Sequence, residues 1–250
     1  MFRAPLLAAT LALTALPAAA FDVAAMSDAE REAFRAEIRA YLLDNPEVLM
    51  EAIGVLEERQ AADQAQGDVA LVASNADALF NDANSWVGGN PEGDITIVEF
   101  MDYRCGYCKK AFPEVEELIK ADGNIRFIVK EFPILGEQSV VASRFAIATL
   151  QVAGPEAYKK VHDAMMGQRG EFTEAALTSL AEQAGADPAP ILAAMGSDEV
   201  SAVIAENHAL AQAMQISGTP TFVLEDQMLR GYVPLEAMMG LVKEVRSAGK

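Results

Sequence analysis

In the middle of this chain two strand-like runs bracket a helical one. "DITIVEFM", Asp94 to Met101, is a compact β-branched run that ends just before the cysteines. "CKKAFPEVEELIKADGN" follows, with Phe112, Val115, Leu118 and Ile119 at helical spacing and Gly123 as a stop. "IRFIVKEF", Ile125 to Phe132, reads as a second strand. This β-α-β unit commits the chain to an α/β fold. It also places the only two cysteines, Cys105 and Cys108, where the first strand hands over to the helix.

The α/β grammar begins near Trp86. Helical segments are expected over about 137–215, interrupted at "AGPEA", "GQRGEFT" and "GADPAP". "SGTPTFVLEDQMLRGYV" reads as two short strands about a turn at Asp226-Gln227, and a final helix starts on Pro234. No internal repeat is visible.

The N-terminal quarter has a different character. Residues 1–20 carry Arg3, an apolar run from Leu6 to about Leu16, and Ala18-Ala19-Ala20, the pattern of a secretory signal cut before Phe21. The apolar run is shorter than the roughly 20 residues a spanning helix needs, which argues against a retained membrane anchor. Export would take the chain to an oxidising compartment, the periplasm of a bacterium. Residues 21–82 hold 14 acidic and 4 basic residues, so a quarter of the chain carries about half of its net charge of −18. "SDAE", Ser27 to Glu30, fits a capping box, and Phe34, Ile38, Tyr41 and Leu42 continue at helical spacing. Asn45 and Pro46 suit the cap and first position of a second helix, whose stripe is Val48, Leu49, Ile53 and Leu56. These two faces have no strands of their own to cover. They either dock on the downstream domain or pair with further copies of the chain, the second being the sharper expectation. The expected division is thus a signal at 1–20, a helical oligomerisation segment at 21–82 and a domain at 83–250. The strongly acidic balance argues against nucleic acid or an anionic lipid surface as a partner.

The cysteine pair admits three readings. A structural disulfide closing so short a loop is worth only about 2 kcal/mol in the chain-entropy model. A structural zinc site wants four Cys or His ligands, and His162 and His208 lack paired-ligand spacing; haem attachment would need His where Lys109 stands. Two thiolates could still hold copper(I) without any enzymatic role. The third reading is a redox couple. Cys105 falls at a helix N-terminus, where unpaired amides and the positive end of the dipole favour a thiolate, with Arg104 and Lys109 nearby. Cys108 lies one turn on, within reach and more buried. Cys105 is then the attacking thiol and Cys108 the resolving one. Gly106 and Tyr107 between them tune the thiolate and are counted among the substrate-facing residues.

"FMDYRCGYCK" within β-α-β, with "GTP" far downstream before a strand, resembles the thioredoxin superfamily. The long helical insertion resembles its DsbA-like branch, and the N-terminal helices resemble the extension of ScsC-type (suppressor of copper sensitivity) proteins. The resemblance implies a thioredoxin fold with an inserted helical subdomain and an N-terminal helical extension. It implies a cis bond before Pro220, with the backbone of Thr219 pairing to an extended substrate. It also implies a buried acid at Glu99, six residues before Cys105, that moves the proton of Cys108. Asp102 is read as a turn or capping group. The implied activity is thiol:disulfide interchange on unfolded or wrongly bridged secreted proteins. No cofactor is needed beyond the Cys105–Cys108 disulfide itself, which a membrane redox partner would recharge. Thr219 and the N-terminal helices lean towards an oligomeric isomerase or reductase; a monomeric dithiol oxidase is the alternative, and copper(I) sequestration at Cys105 and Cys108 the alternative of another class.

Overall fold

The computed structural model describes residues 25–248; the expected signal and residues 21–24 lie outside the described residues. Its packing divides the chain into two compact units, one ending at Arg59 and one beginning at Gln60. The packing boundary falls earlier than the compositional change after residue 82.

In the first unit, α1 (Asp28–Asp44) opens on the expected capping box. The Ser27 amide donates to Glu30 Oε2 at 2.9 Å, and the Glu30 amide donates back to Ser27 Oγ. Asn45 does not cap the next helix with its side chain. Its Nδ2 donates instead to the Tyr41 carbonyl at 2.9 Å, closing α1. α2 (Glu47–Ser74) runs on without a break through the polar, Ala-rich stretch that follows its apolar stripe. α1 buries no residue, and Phe34, Ile38, Tyr41, Leu49, Ile53 and Leu56 are all exposed.

The second unit takes in the last part of α2, where Asp68 and Val72 are buried, and α3 (Ala76–Phe80), which buries Leu79. Its sheet has the order β1-β3-β2-β4-β5. β2 (Ile95–Met101) and β3 (Ile125–Glu131) pair in parallel through α4 (Gly106–Asp122), and α4 ends on Gly123 at φ +71°, a left-handed turn that favours glycine. β4 (Thr221–Leu224) lies antiparallel to β2, and β5 (Gln227–Arg230) antiparallel to β4. The edge strand β1 (Trp86–Gly89), antiparallel to β3, is too short and glycine-rich to be read from sequence. The insertion between β3 and β4 is helical as expected: α5 (Glu137–Ala153), α6 (Pro155–Gly167), α7 (Glu174–Ala184), α8 (Pro188–Ala194) and α9 (Asp198–Ala213). α10 (Leu235–Ala248) closes the chain.

Alternation along the central strands gives the sheet two apolar faces. Ile97, Met101, Phe127 and Val129 pack in the larger core with α4, α10 and α5–α8. Val98, Phe100, Ile128 and Val223 pack with Val72, Leu79 and residues of α9. Lys130 points into this second side fully buried, and its Nζ donates to Asp82 at 2.6 Å and to the Ala78 carbonyl at 2.7 Å. At the sheet edge, Arg230 is held by the buried carboxylate of Asp68.

Candidate active site

Strand β2 delivers the chain to a tight loop that begins helix α4, and the loop is fixed from below by Asp102. Its buried carboxylate accepts from the Arg104 amide at 2.7 Å and from the amides of Ile134 and Leu135 at 2.8 and 3.1 Å. Asp102 is thus more than a local turn former, because it binds the cysteine loop to the segment after β3. Arg104 and Lys109 reach outward to the carbonyls of Gly170 and Gln168, bracing the loop against the turn between α6 and α7.

Cys105 occupies the N-cap of α4 and is only 6% exposed; Cys108 is fully buried one turn on. The Thr219–Pro220 peptide is cis, Pro220 is buried, and Cys105 Sγ lies 3.1 Å from the Thr219 carbonyl, to which the thiol donates. The fold thus brings together residues 114 positions apart in the chain. In the thiolate form the Cys105 sulfur accepts from the Cys108 thiol, then, against the cost of partial burial, from the Thr219 side chain and the amides of Cys108 and Tyr107. The sum lowers its pKa to about 5. Burial pushes the Cys108 thiol far above its ordinary value, and the neighbouring Cys105 adds to that.

Gly106 is exposed, with open space where a Cβ would stand. Tyr107 is 63% exposed, and its ring stacks on Tyr232 at 6.4 Å, which places both at the mouth of the site. Glu99 is buried beneath the cysteines and its Oε1 has no hydrogen-bond partner. Burial first, then the charges of Cys105, Glu131 and Glu116, raise it to about 8.

Sequence reasoning passed over a second buried acid. Glu131 accepts from Tyr103 Oη at 2.9 Å, Tyr158 Oη at 2.7 Å and Ser143 Oγ at 2.8 Å. His162 is buried, with Nδ1 2.9 Å from Tyr103 Oη and its ring stacked near Trp86 and Tyr158; burial lowers it to about 3. The adjacent charges in "KEF", directly after the apolar "FIV" of the same strand, are the one sequence signal for this place. His208 packs against Phe132. Among the described residues no group of three or more His, Cys, Asp or Glu is placed to hold a metal ion.

The comparison with known families accords with this geometry. Residues 96–243 match the DSBA-like thioredoxin domain. The chain belongs to that family. Residues 30–63 match the copper resistance protein ScsC N-terminal domain, so this DsbA-like chain carries its α1 and the first part of α2 as a family feature of their own. Among solved structures it is similar to a thioredoxin-like oxidoreductase from Silicibacter pomeroyi, at 43% identity over 68% of this chain and 97% of that one, with a TM-score of 0.64. It is similar also to ScsC of Proteus mirabilis in a compact conformation, at 29% identity over 88% of this chain and 99% of that one, TM-score 0.65. A third is a periplasmic thioredoxin-like protein of Salmonella enterica serovar Typhimurium, at 31% identity over 68% and 94%, TM-score 0.62. The chain spans about a quarter of the length of the first curated relatives it matches, two Na(+)/H(+) antiporters of Salinispora.

Proposed function

We propose that this DsbA-like chain is a periplasmic thiol:disulfide interchange protein that acts on secreted proteins as a disulfide isomerase or reductase. The observation that carries the chemistry is the contrast between its two thiols. Cys105 stands at a helix N-terminus with its thiolate favoured, and Cys108 is buried with its thiolate disfavoured. The Cys105 thiolate attacks one sulfur of a substrate disulfide. A Cys105–substrate disulfide forms and the other substrate sulfur leaves as a thiolate. When that or another substrate thiolate attacks the mixed disulfide, the substrate is rebridged and Cys105 is returned, so no net electrons move. When Cys108 attacks instead, the Cys105–Cys108 disulfide forms and the substrate leaves reduced by two electrons. A membrane redox partner would then recharge the pair.

Thr219, Pro220, Gly106 and Tyr107 surround Cys105 on the side a substrate must approach, and the Thr219 backbone is the proposed strand-like partner. Homo-oligomerisation through residues 21–82 is supported by the uncovered apolar faces of α1 and the first part of α2. The export pattern and the similarity to a periplasmic protein support the compartment, and no helix among the described residues is long and apolar enough to cross a membrane.

One observation favours the oxidase alternative. A thiolate lowered to about 5 stabilises the reduced form and so makes the disulfide a stronger oxidant. The deciding experiment is repair of a scrambled-disulfide protein. Isomerase action is lost in Cys105→Ser and retained in Cys108→Ser, whereas a dithiol oxidase loses its turnover in both variants. Sedimentation of the intact chain accompanies it, and a monomer would sink the oligomer proposal. The pH dependence is a further check. The Cys105 pKa is lowered on folding, so its contribution to the stability of the reduced protein is present above the unfolded thiol's value. It is lost as pH falls through about 5. Denaturation of the reduced chain across that range should show it, and Cys105→Ser should remove this share of the dependence, leaving the opposite-signed contributions of the raised Glu99 and Glu131.

A further inference from the structure

The redox reading uses Glu99 and leaves Glu131 without a task, although Glu131 is buried on the same side of the sheet. Glu99 and Glu131 alternate in phase with Ile97, Met101, Phe127 and Val129, all in the core cluster that holds Cys108. The two carboxyls differ in their partners. Glu131 is gripped by three hydroxyl donors from three elements, Tyr103 of the cysteine loop, Ser143 of α5 and Tyr158 of α6. Glu99 keeps an oxygen with no partner at all. Hydroxyl donors favour a carboxylate, and an unpartnered buried oxygen favours the acid. Two desolvated carboxyls that sense one another do not both ionise readily, so charge settles on the one with donors.

We infer that Glu131 is a positioning residue for the exchange: held as the carboxylate by Tyr103, Tyr158 and Ser143, it keeps Glu99 in its acid form near neutral pH. This rests on the redox reading and adds to it. Burial raises both carboxyls, and the hydroxyl donors pull Glu131 back down while Glu99 has no such donors. The groups around the pair reinforce the division. Glu99 faces Cys105, Cys108 and Glu116 of α4, all neutral or acidic. Glu131 senses Asp102 from the cysteine loop, while Asn207 of α9 donates to its backbone carbonyl at 3.0 Å. His162 of α6 reaches it only through Tyr103 and is held neutral by burial. Lys159 of α6 is paired with Glu116 and Asp163, and Lys130 points to the other face.

The consequence falls on the resolving step. For Cys108 to attack the mixed disulfide, its proton must pass to the Glu99 carboxylate. The Cys108–Cys105 bond then forms, the Cys105–substrate bond breaks, and the substrate sulfur leaves with the electron pair and takes a proton from water. An acid form of Glu99 cannot accept that proton, so at neutral pH this exit is slow. The mixed disulfide is left longer for a substrate thiol to resolve, which is what shuffling requires.

The test is a single-turnover release from a mixed disulfide formed between Cys105 of the full chain and a cysteine peptide, followed against pH. In the wild type, release should need Cys108, being absent in Cys108→Ser, and should rise with pH. Release that ignores Cys108 would overturn the redox reading itself and the inference with it. In Glu131→Gln the midpoint should fall by about one pH unit, giving up to about tenfold faster release below it. In Glu99→Gln the pH rise should vanish, and adding Glu131→Gln should shift nothing further. Tyr158→Phe, which weakens the grip on the carboxylate, should move the midpoint the same way by less, and serves if Glu131→Gln does not fold. An unchanged midpoint in both variants, or the same shift in the Glu99→Gln background, would sink the inference even if thermal stability fell.

Discussion

The two units spend the same kind of sequence pattern differently. In the second, the aromatic and branched residues of the strands and insertion helices close over one another, so that Phe100, Phe145 and Phe222 are wholly buried. In the first, α1 has an equally regular apolar stripe and buries none of it; Tyr41 is 54% exposed and Leu49 49%. An apolar face costs free energy while it stays in water, at roughly 25 cal/mol per Å². The contrast shows that amphipathic periodicity states that a face seeks cover, not what the cover is. One unit covers its own apolar residues, and in the other the apolar stripe of α1 is exposed.

Substitutions can break this contrast or sharpen it. The largest effect should come from the core: Phe145→Ala is expected to cost about 4 kcal/mol of unfolding free energy. Phe34→Ala, by contrast, should leave the main unfolding transition within about 0.5 kcal/mol and change the solution mass instead. Paired denaturation and sedimentation would read both. Equal losses of stability in the two variants would erase the distinction. Next is the buried ion pair. Lys130→Ala removes the cation from half-buried Asp82, which keeps only the Asn84 amide and the Ser85 hydroxyl as donors, and empties a fully buried side-chain site; it is expected to cost about 3 kcal/mol. The exposed charge of Arg39 on α1 can be removed by Ala within about 0.5 kcal/mol. The smallest effect compares two helix caps. Ser197 accepts from the Val200 amide at the start of α9, and Ser197→Ala should lower global stability by about 1 kcal/mol. Ser27→Ala should only fray the first turn of α1, seen as a small loss of helical circular dichroism with the main transition unmoved.

Much of the fold was legible because its signals are local. The β-α-β unit rests on β-branched runs and a glycine stop, and the breaks of the insertion rest on Gly and Pro, which act within a few residues. Pairing Cys105 with the segment at Thr219 was legible only through the family pattern, since nothing local in "SGTPT" says which strand it joins. β1 escaped because "WVGG" has no periodicity to read. The Asn45 side chain could serve either flanking helix, and only the built backbone decides that it turns back to Tyr41. Glu131 escaped for a different reason. A lone acid in a strand is ordinarily solvent-facing, and its burial depends on Tyr103, Ser143 and Tyr158, scattered along the chain and gathered only by packing.

The two edges of the sheet bear on how this molecule survives its proposed clients. Each edge strand is only four residues long, β1 ending at Gly89 with φ +67° and β5 ending at Arg230, where Asp68 holds the side chain. A long bare edge invites any extended chain to zip onto it. A protein that handles unfolded polypeptides meets that hazard continually, and short, pinned borders leave a visiting strand little to add itself to away from the reactive sulfur.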